Sequence, residues 1–408
     1  MNKGMIAPFN ALRAAGEHAA EIVAPPYDVV TTEEARQRAD GKARNFLHVS
    51  RAEIDFPAGT DSHGAEIYDR AAQNLHALVD SGAMLQSPEP CFFVYRMRMA
   101  GHSQIGLACG ASLAAYAGGT IRRHELTRPD KEDDRVAHMD ALGAQTGPVL
   151  CAHRPHMALT STLSKITQRD APPEIDVKGE DGVRHTLWAV NDGAAIGDIQ
   201  NAVDELEALY IADGHHRSAA AARVAKMRGE KAGRFLSVIF PSNQLLILAY
   251  NRIVRDLGGL DEAEFLARLD TKFIIRPSNT PLVPDHSAQI GVCLKSGWQL
   301  LDPREPLSKE ASVLERLDVS RLTDSILQPL LDIGDPRTDP RLDFVGGADA
   351  PERIQALVQS CEAAAGFTVY PTAMNELMAV ADSGQVMPPK STWFEPKLAD
   401  GLIAHLIG

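Results

Sequence analysis

The chain has 408 residues, 44% hydrophobic and 23% charged, with 41 basic against 54 acidic side chains and a formal net charge of −13. Such an acidic balance opposes duplex DNA or an anionic membrane as the main partner, since either needs a basic face, but it leaves room for a local phosphate pocket. The first twenty residues, MNKGMIAPFNALRAAGEHAA, lack the apolar core of a signal peptide and no run approaches a membrane span, so a cytoplasmic protein is expected.

At roughly 150 residues per domain the length suggests two or three units. Cys91, Cys109, Cys151, Cys293 and Cys361 are odd in number and scattered, with no C-x-x-C pair, so they read as reduced, mostly buried thiols.

In chain order, two prolines precede Tyr27-Asp28 and force extended or turn backbone there, and Thr31-Thr32-Glu33-Glu34 has the form of a helix start. Ile67, Ala71, Leu75, Leu78 and Val79 recur at helical spacing, with Gly82 closing that helix. Residues 91–99 and 104–116 read as two strands joined by a four-residue turn, and 147–155 as another strand. A hairpin is expected around Gly179-Glu180-Asp181-Gly182 within 175–190. Residues 201–229 contain a short apolar strand, a tight turn and an alanine-rich helix ending at Gly229. Residues 234–257 read as paired strands split by Pro-Ser-Asn. Helices are expected near 262–270, 309–332 and 351–365, a surface loop at 335–340, and a final helix at the end of the chain. The corresponding division is 1–115, 116–258 and 259–408.

The sharpest motif is Asp213-Gly214-His215-His216-Arg217-Ser218, where a strand feeds a glycine turn that opens into a helix. Backbone amides, the helix dipole, two imidazoles and a guanidinium meet there, as an anion site requires, and Arg217 has the geometry to fork two phosphate oxygens. Alternatively, Asp213 merely caps the helix while the histidines bond neighbouring carbonyls. Adjacent helical residues point about 100° apart, which disfavours His215 and His216 as a metal pair. Asp213 remains a candidate to help hold a nucleotide-bound Mg²⁺, for which one or two carboxylates suffice.

A second constellation, Arg122-Arg123-His124-Glu125-Leu126-Thr127, is too polar and broken for core, and its carboxylate is placed to deprotonate a hydroxyl or bind an amine; a solvated loop is the plainer alternative. Asp134 and His138, at i, i+4, suit an ion pair better than a metal site. In Met387-Pro388-Pro389-Lys390-Ser391-Thr392-Trp393, Lys390 and two hydroxyls suit phosphate or carboxylate, and Trp393 offers a stacking face, unless the segment is a rigid loop with Trp393 in the core. Finally, Tyr27-Asp28 and Asn45 to Arg51 either line a pocket or dock the N-terminal segment.

Taken together, APPYDVV, NFLHVSR, RRHELT, YIADGHHRSAAA and MPPKSTWFEPKLADGL resemble the domain-of-unknown-function 1015 family across nearly the whole chain. His124-Glu125 followed by Asp213-Gly214-His215-His216-Arg217 is also similar to free-serine kinases of the ParB/sulfiredoxin fold. The two motifs lie farther apart here than in those compact enzymes, a difference the hairpin at 175–190 can absorb. The resemblance implies an α/β fold with a ParB/sulfiredoxin-like mixed-sheet core carrying N- and C-terminal α+β elaborations. It implies Glu125 as base, with His124 and Asp213 catalytic, and Gly214, His215, His216, Arg217 and Ser218 as phosphate cradle. Lys390, Ser391 and Thr392 are added to the cofactor side, and Tyr27, Asp28, Arg123, Thr127 and Trp393 to the substrate side. The expected cofactor is Mg²⁺ with ATP or ADP, held in part by Asp213. The expected partners are a nucleotide and a small hydroxy amino acid, foremost L-serine, with no nucleic acid or membrane; a homodimer is allowed. Rival readings are a metal-dependent hydrolase using His215, His216, Asp213 and His138, or a nucleotide-binding regulator without turnover. No G-x-x-x-x-G-K-[ST] string occurs, which argues against a Walker-type NTPase.

Overall fold

The structure, a computed structural model, describes residues 4–229 and 232–407. The chain forms two compact units: one holds the chain up to Leu245 and from Pro396 onward, the other Leu246–Glu395. This partition differs from the three consecutive segments expected. Strands from both sides of residue 115 share one sheet, and the last residues return to the first unit.

The first unit is built on a mixed sheet of β1 (Ile6–Ala7), β2 (Phe92–Met99), β3 (His102–Ser112), β4 (Ile121–Arg122), β5 (Val149–His153), β6 (Ile175–Lys178), β7 (Arg184–Val190), β8 (Leu209–Asp213) and β9 (Arg234–Pro241). Their order is β4-β8-β5-β9-β3-β2-β7-β6, with β1 added beside β3. The β4/β8 and β5/β9 pairs are parallel and the others antiparallel. The α/β mixed sheet is thus as expected.

β2 and β3 form a hairpin closed by Ala100-Gly101, both with positive φ, which matches the twist of the flanking strands. The turn is two residues rather than four, and the strand gives way at Leu113–Ala117 to a short helix capped by Ser112. The hairpin at 175–190 is present, as β6 and β7. β5 is buried along its whole length, consistent with its continuous apolar run.

Three helices matter for the site: α1 (Ala65–Asp80), α2 (Pro129–Leu142) and α3 (His215–Arg228). α1 buries Ile67, Ala71, Leu75 and Leu78 as its spacing predicts, while Val79 stays exposed. α3 packs beside α2 and contributes Ala220, Ala221 and Val224 to the core formed with β3, β5 and β9. The Thr31 start is present too: its hydroxyl and the Glu34 carboxylate form a reciprocal capping box.

The expected terminal helix is a strand. Ile403–Leu406 pairs with Ala11–Ala14 on one side and Ala144–Gln145 on the other. Two strand edges take up its backbone hydrogen bonds instead of a helix.

The second unit carries an antiparallel six-stranded sheet with its own core around Trp298, Ile354 and Val358. The strands expected to pair within 234–257 do not: β9 stays in the first unit, Leu246–Leu248 pairs with Trp393–Glu395, and Asn251–Val254 joins the six-stranded sheet. Glu262–Asp270 is helical as expected. The helix expected from 309 begins only at Asp318; before it, Ser312 and Glu315 bond each other's backbone amides in a closed turn. The expected helix 351–365 is Ala350–Gln359, followed by strand Ala365–Val369. Four of the five cysteines are buried and all five are free thiols.

Candidate active site

β8 ends in a bulge. Tyr210 and Ile211 face Ala152 and Cys151, but Asp213 rather than Ala212 faces Leu150. The extra residue re-aims Asp213 at the sheet's end, a device common beside active sites. Gly214 follows at φ 100°, in the left-handed region, and α3 starts at His215. A Cβ on Gly214 would lie 3.1 Å from the Arg217 guanidinium carbon, so both backbone and packing require glycine here. No side chain caps α3, so its first-turn amides form a positive helix end.

His124 and Glu125 follow β4, which runs parallel beside β8, and this pairing brings the His-Glu motif to the same sheet end. The rings of His124 and His215 meet edge to face, centroids 4.5 Å apart, and His215 Nδ1 lies 3.7 Å from Glu125 Oε2. Both histidines are buried, whereas the Glu125 side chain is 32% exposed. Burial pushes His124 down to about 4, against a hydrogen bond to the Ile211 backbone that favours its charged form. Burial, reinforced by His124, takes His215 well below its ordinary value. Both imidazoles are therefore neutral at pH 7.

Arg217 is turned inward. One nitrogen donates to the Pro148 carbonyl, and Nη2 lies 3.5 Å from Asp213 Oδ2. Burial would lower its pKa, but the charges of Asp28 and Asp213 outweigh it and hold the guanidinium firmly protonated. Lys397 Nζ stands at the same Asp213 oxygen, also at 3.5 Å. The fork expected to grip phosphate is thus largely committed to protein groups, and Lys397 enters as a second cation. Ser218 is fully buried and donates to the His215 carbonyl, closing the first turn of α3 from within. His216 points elsewhere: its Nε2 accepts from the Arg128 amide at the head of α2. His215 and His216 do not converge, and the imidazole that joins His215 is His124.

Behind Arg217 lies Asp400, buried and accepting the Tyr27 amide at 3.2 Å. Burial raises Asp400 to about 7, with the charge of Arg217 working against the rise. The Tyr27 ring sits under the Arg135 guanidinium at 4.0 Å, and burial raises its hydroxyl to about 12. Asp28, next along, is exposed, and its charge is felt at both Arg217 and Asp400. Arg51, from the NFLHVSR segment, donates to the carbonyls of Tyr27 and Val30 and so docks the loop that carries Asp28.

Other expected residues have structural partners. Arg123 stacks on Tyr116, with its guanidinium 5.0 Å from the ring centroid, and Thr127 bonds Glu132 in the first turns of α2. Asp134 and His138 do not pair: Asp134 binds Arg135 and accepts from Tyr68, while His138 donates to the Val49 carbonyl.

Lys390, Ser391, Thr392 and Trp393 belong to the second unit. There Ser391 donates to the Pro388 carbonyl, Lys390 Nζ lies 5.5 Å from the Tyr250 ring centroid, and Trp393 packs edge-on against Tyr250 and bonds Glu395. The motif MPPKSTWFEPKLADGL is therefore split, and it is its tail, Lys397 and Asp400, that joins the Asp213 turn. The proximity of KLADG to the segment already singled out was the one sequence signal for these two residues.

A mixed α/β unit whose strand-to-helix turn presents an uncapped helix start, a carboxylate and two histidines defines the class of site. The chain belongs to the family described as "Protein of unknown function (DUF1015)", matched over residues 6–320. No curated protein matches it. Similar solved structures include a conserved hypothetical protein from Pyrococcus furiosus (15% identity, 70% of this chain and 92% of that one, TM-score 0.35). A free serine kinase in complex with AMP is similar at 14% identity over 67% of this chain and 83% of that one, TM-score 0.34. SbnI with a C-terminal truncation, from Staphylococcus aureus, is similar at 12% over 72% and 85%, TM-score 0.38.

Proposed function

We propose that this protein is a phosphotransferase that moves a phosphoryl group from a nucleotide, ATP or ADP, to the hydroxyl of a small hydroxy amino acid, foremost L-serine. The observation that carries the reading is the Glu125 carboxylate standing 3.7 Å from the first residue of an uncapped helix. A base and an anion cradle are thus adjacent, which is the minimum that phosphoryl transfer asks of a protein.

In this reading the first-turn amides of α3 and Lys397 take the phosphate oxygens and offset the charge that spreads in the transition state. Glu125 accepts the acceptor's hydroxyl proton. Exposed Asp28 is the counter-charge for the amino group of the acceptor. Arg217, committed to Pro148 and Asp213, positions the turn and holds Asp213 in place. A nucleotide-bound Mg²⁺ fits the oxygen donors here, with Asp213, 32% exposed, as its candidate ligand. When bound, that ion supplies charge neutralisation at the phosphates.

Incubating the purified chain with Mg-ATP or Mg-ADP and each hydroxy amino acid, and reading phosphoamino acid by mass spectrometry, tests the proposal. Phosphoserine with either donor is the expected result. Tight nucleotide binding with no product from any acceptor would overturn it in favour of a non-catalytic nucleotide binder.

A further inference from the structure

Among the described residues, one group of three can hold a metal ion: His124, Glu125 and His215, each offering a donor atom with all three within 4.8 Å of one another. We infer that these residues form a site for one divalent transition-metal ion of the zinc class, distinct from any nucleotide-bound Mg²⁺. The binding does not rest on the phosphotransfer reading and competes with it at Glu125, whose carboxylate is a ligand while the ion is bound and the base only without it.

Three observations carry it. First, the donors are nearly gathered: around a single zinc ion, with bonds of about 2.0–2.2 Å, neighbouring donors stand roughly 3.3 Å apart. His215 Nδ1 and Glu125 Oε2 are already at 3.7 Å. Second, His124 Nδ1 is buried without any hydrogen-bond partner, although a buried polar atom left unpaired is costly. An ion accounts for such an orphan lone pair where no protein group does. Third, the other side of His124 is bonded to the Ile211 backbone, the outer tether that ligating histidines characteristically have.

The donor chemistry names the class. Two imidazoles and one carboxylate suit zinc, iron or nickel, whereas Mg²⁺ and Ca²⁺ take oxygen. Three protein ligands leave a coordination position for water or a small anion. This set is not the one suggested by the adjacent pair in the D-G-H-H-R string. It uses His124, which is remote in sequence and delivered by the parallel pairing of β4 with β8.

The test uses the full chain stripped with a chelator, titrated with Zn²⁺ by calorimetry, with the bound ion counted by elemental analysis after dialysis. One ion per chain is expected. His124→Ala and His215→Ala should each weaken binding about tenfold or more, and Glu125→Gln, which keeps the side chain's shape, should also weaken it. His156→Ala, at a half-buried histidine paired with Glu205 and outside the site, should bind as the parent does. Circular dichroism confirms that each variant is folded, and Glu125→Gln keeps the test decisive if a histidine variant is not. Substoichiometric zinc, zinc retained undiminished in all three site variants, or Mg²⁺ binding the same site as tightly would overturn the inference. Because the titration contains no nucleotide, an inactive phosphotransferase leaves its result untouched.

Discussion

Glu125 and His215 come from separate motifs and meet within 3.7 Å, so the sharpest chemical predictions belong to single side chains. Glu125→Gln removes the base and is expected to lower phosphotransfer about 10²–10⁴-fold with nucleotide affinity retained. Full turnover in that variant would assign the base elsewhere. Gly214→Ala forces a Cβ against Arg217 at φ 100°, and should cost about 1–3 kcal/mol in urea unfolding. Arg217→Ala strands the buried Asp400 and opens the Pro148 carbonyl, with an expected loss of about 3–5 kcal/mol. At this scale the sequence was informative about residue type and less so about role. The D-G-H-H-R string forms the strand-to-helix turn it predicts, yet whether a guanidinium faces a ligand or the interior depends on which carbonyls and carboxylates the fold brings beside it. For Arg217 those are Asp213 within the string and, brought in by the fold, Pro148 and Asp400, which no local pattern predicts.

Elements decide how the charged groups are stored. The loop with Tyr27-Asp28, the start of α3 and the segment Lys397–Asp400 converge behind the site, and Asp400 is their buried junction. Its folded pKa of about 7 lies above the ordinary 3.8, so the folded state holds a proton that the unfolded chain has released. That contribution to stability is complete below about pH 4 and is lost as pH rises towards 7. Asp400→Asn keeps an acceptor for the Tyr27 amide and cannot ionise. The melting temperature of the parent should therefore fall relative to the variant between pH 5 and 8. A difference that does not change with pH would refute the assignment. Helix α1, the capping box at Thr31 and the strand-turn-helix at Asp213 were legible in the sequence because short-range periodicity and caps determine them. The terminal strand Ile403–Leu406 was not, since its partners lie hundreds of residues away at Ala11–Ala14 and Ala144–Gln145.

For the whole molecule the decisive quantity is a net charge of −13 with its cations drawn into ion pairs, as at Arg135, Arg217 and Lys397. Such a surface should not retain duplex DNA at about 0.1 M salt, which a gel-shift titration checks; a specific shift would contradict it. Composition, charge, the free thiols, the α/β class and the strand-to-helix form of the D-G-H-H-R turn were determined by the sequence alone, because each depends on residue identity or on neighbours a few positions away. The tertiary structure decided that the chain makes two units with a returning C-terminal segment, that Lys397 and Asp400 join the turn while Lys390 to Trp393 belong to the other unit, and that His215 pairs with His124 instead of His216. Each of these follows from strand order and register, which place distant residues side by side and which no local pattern encodes.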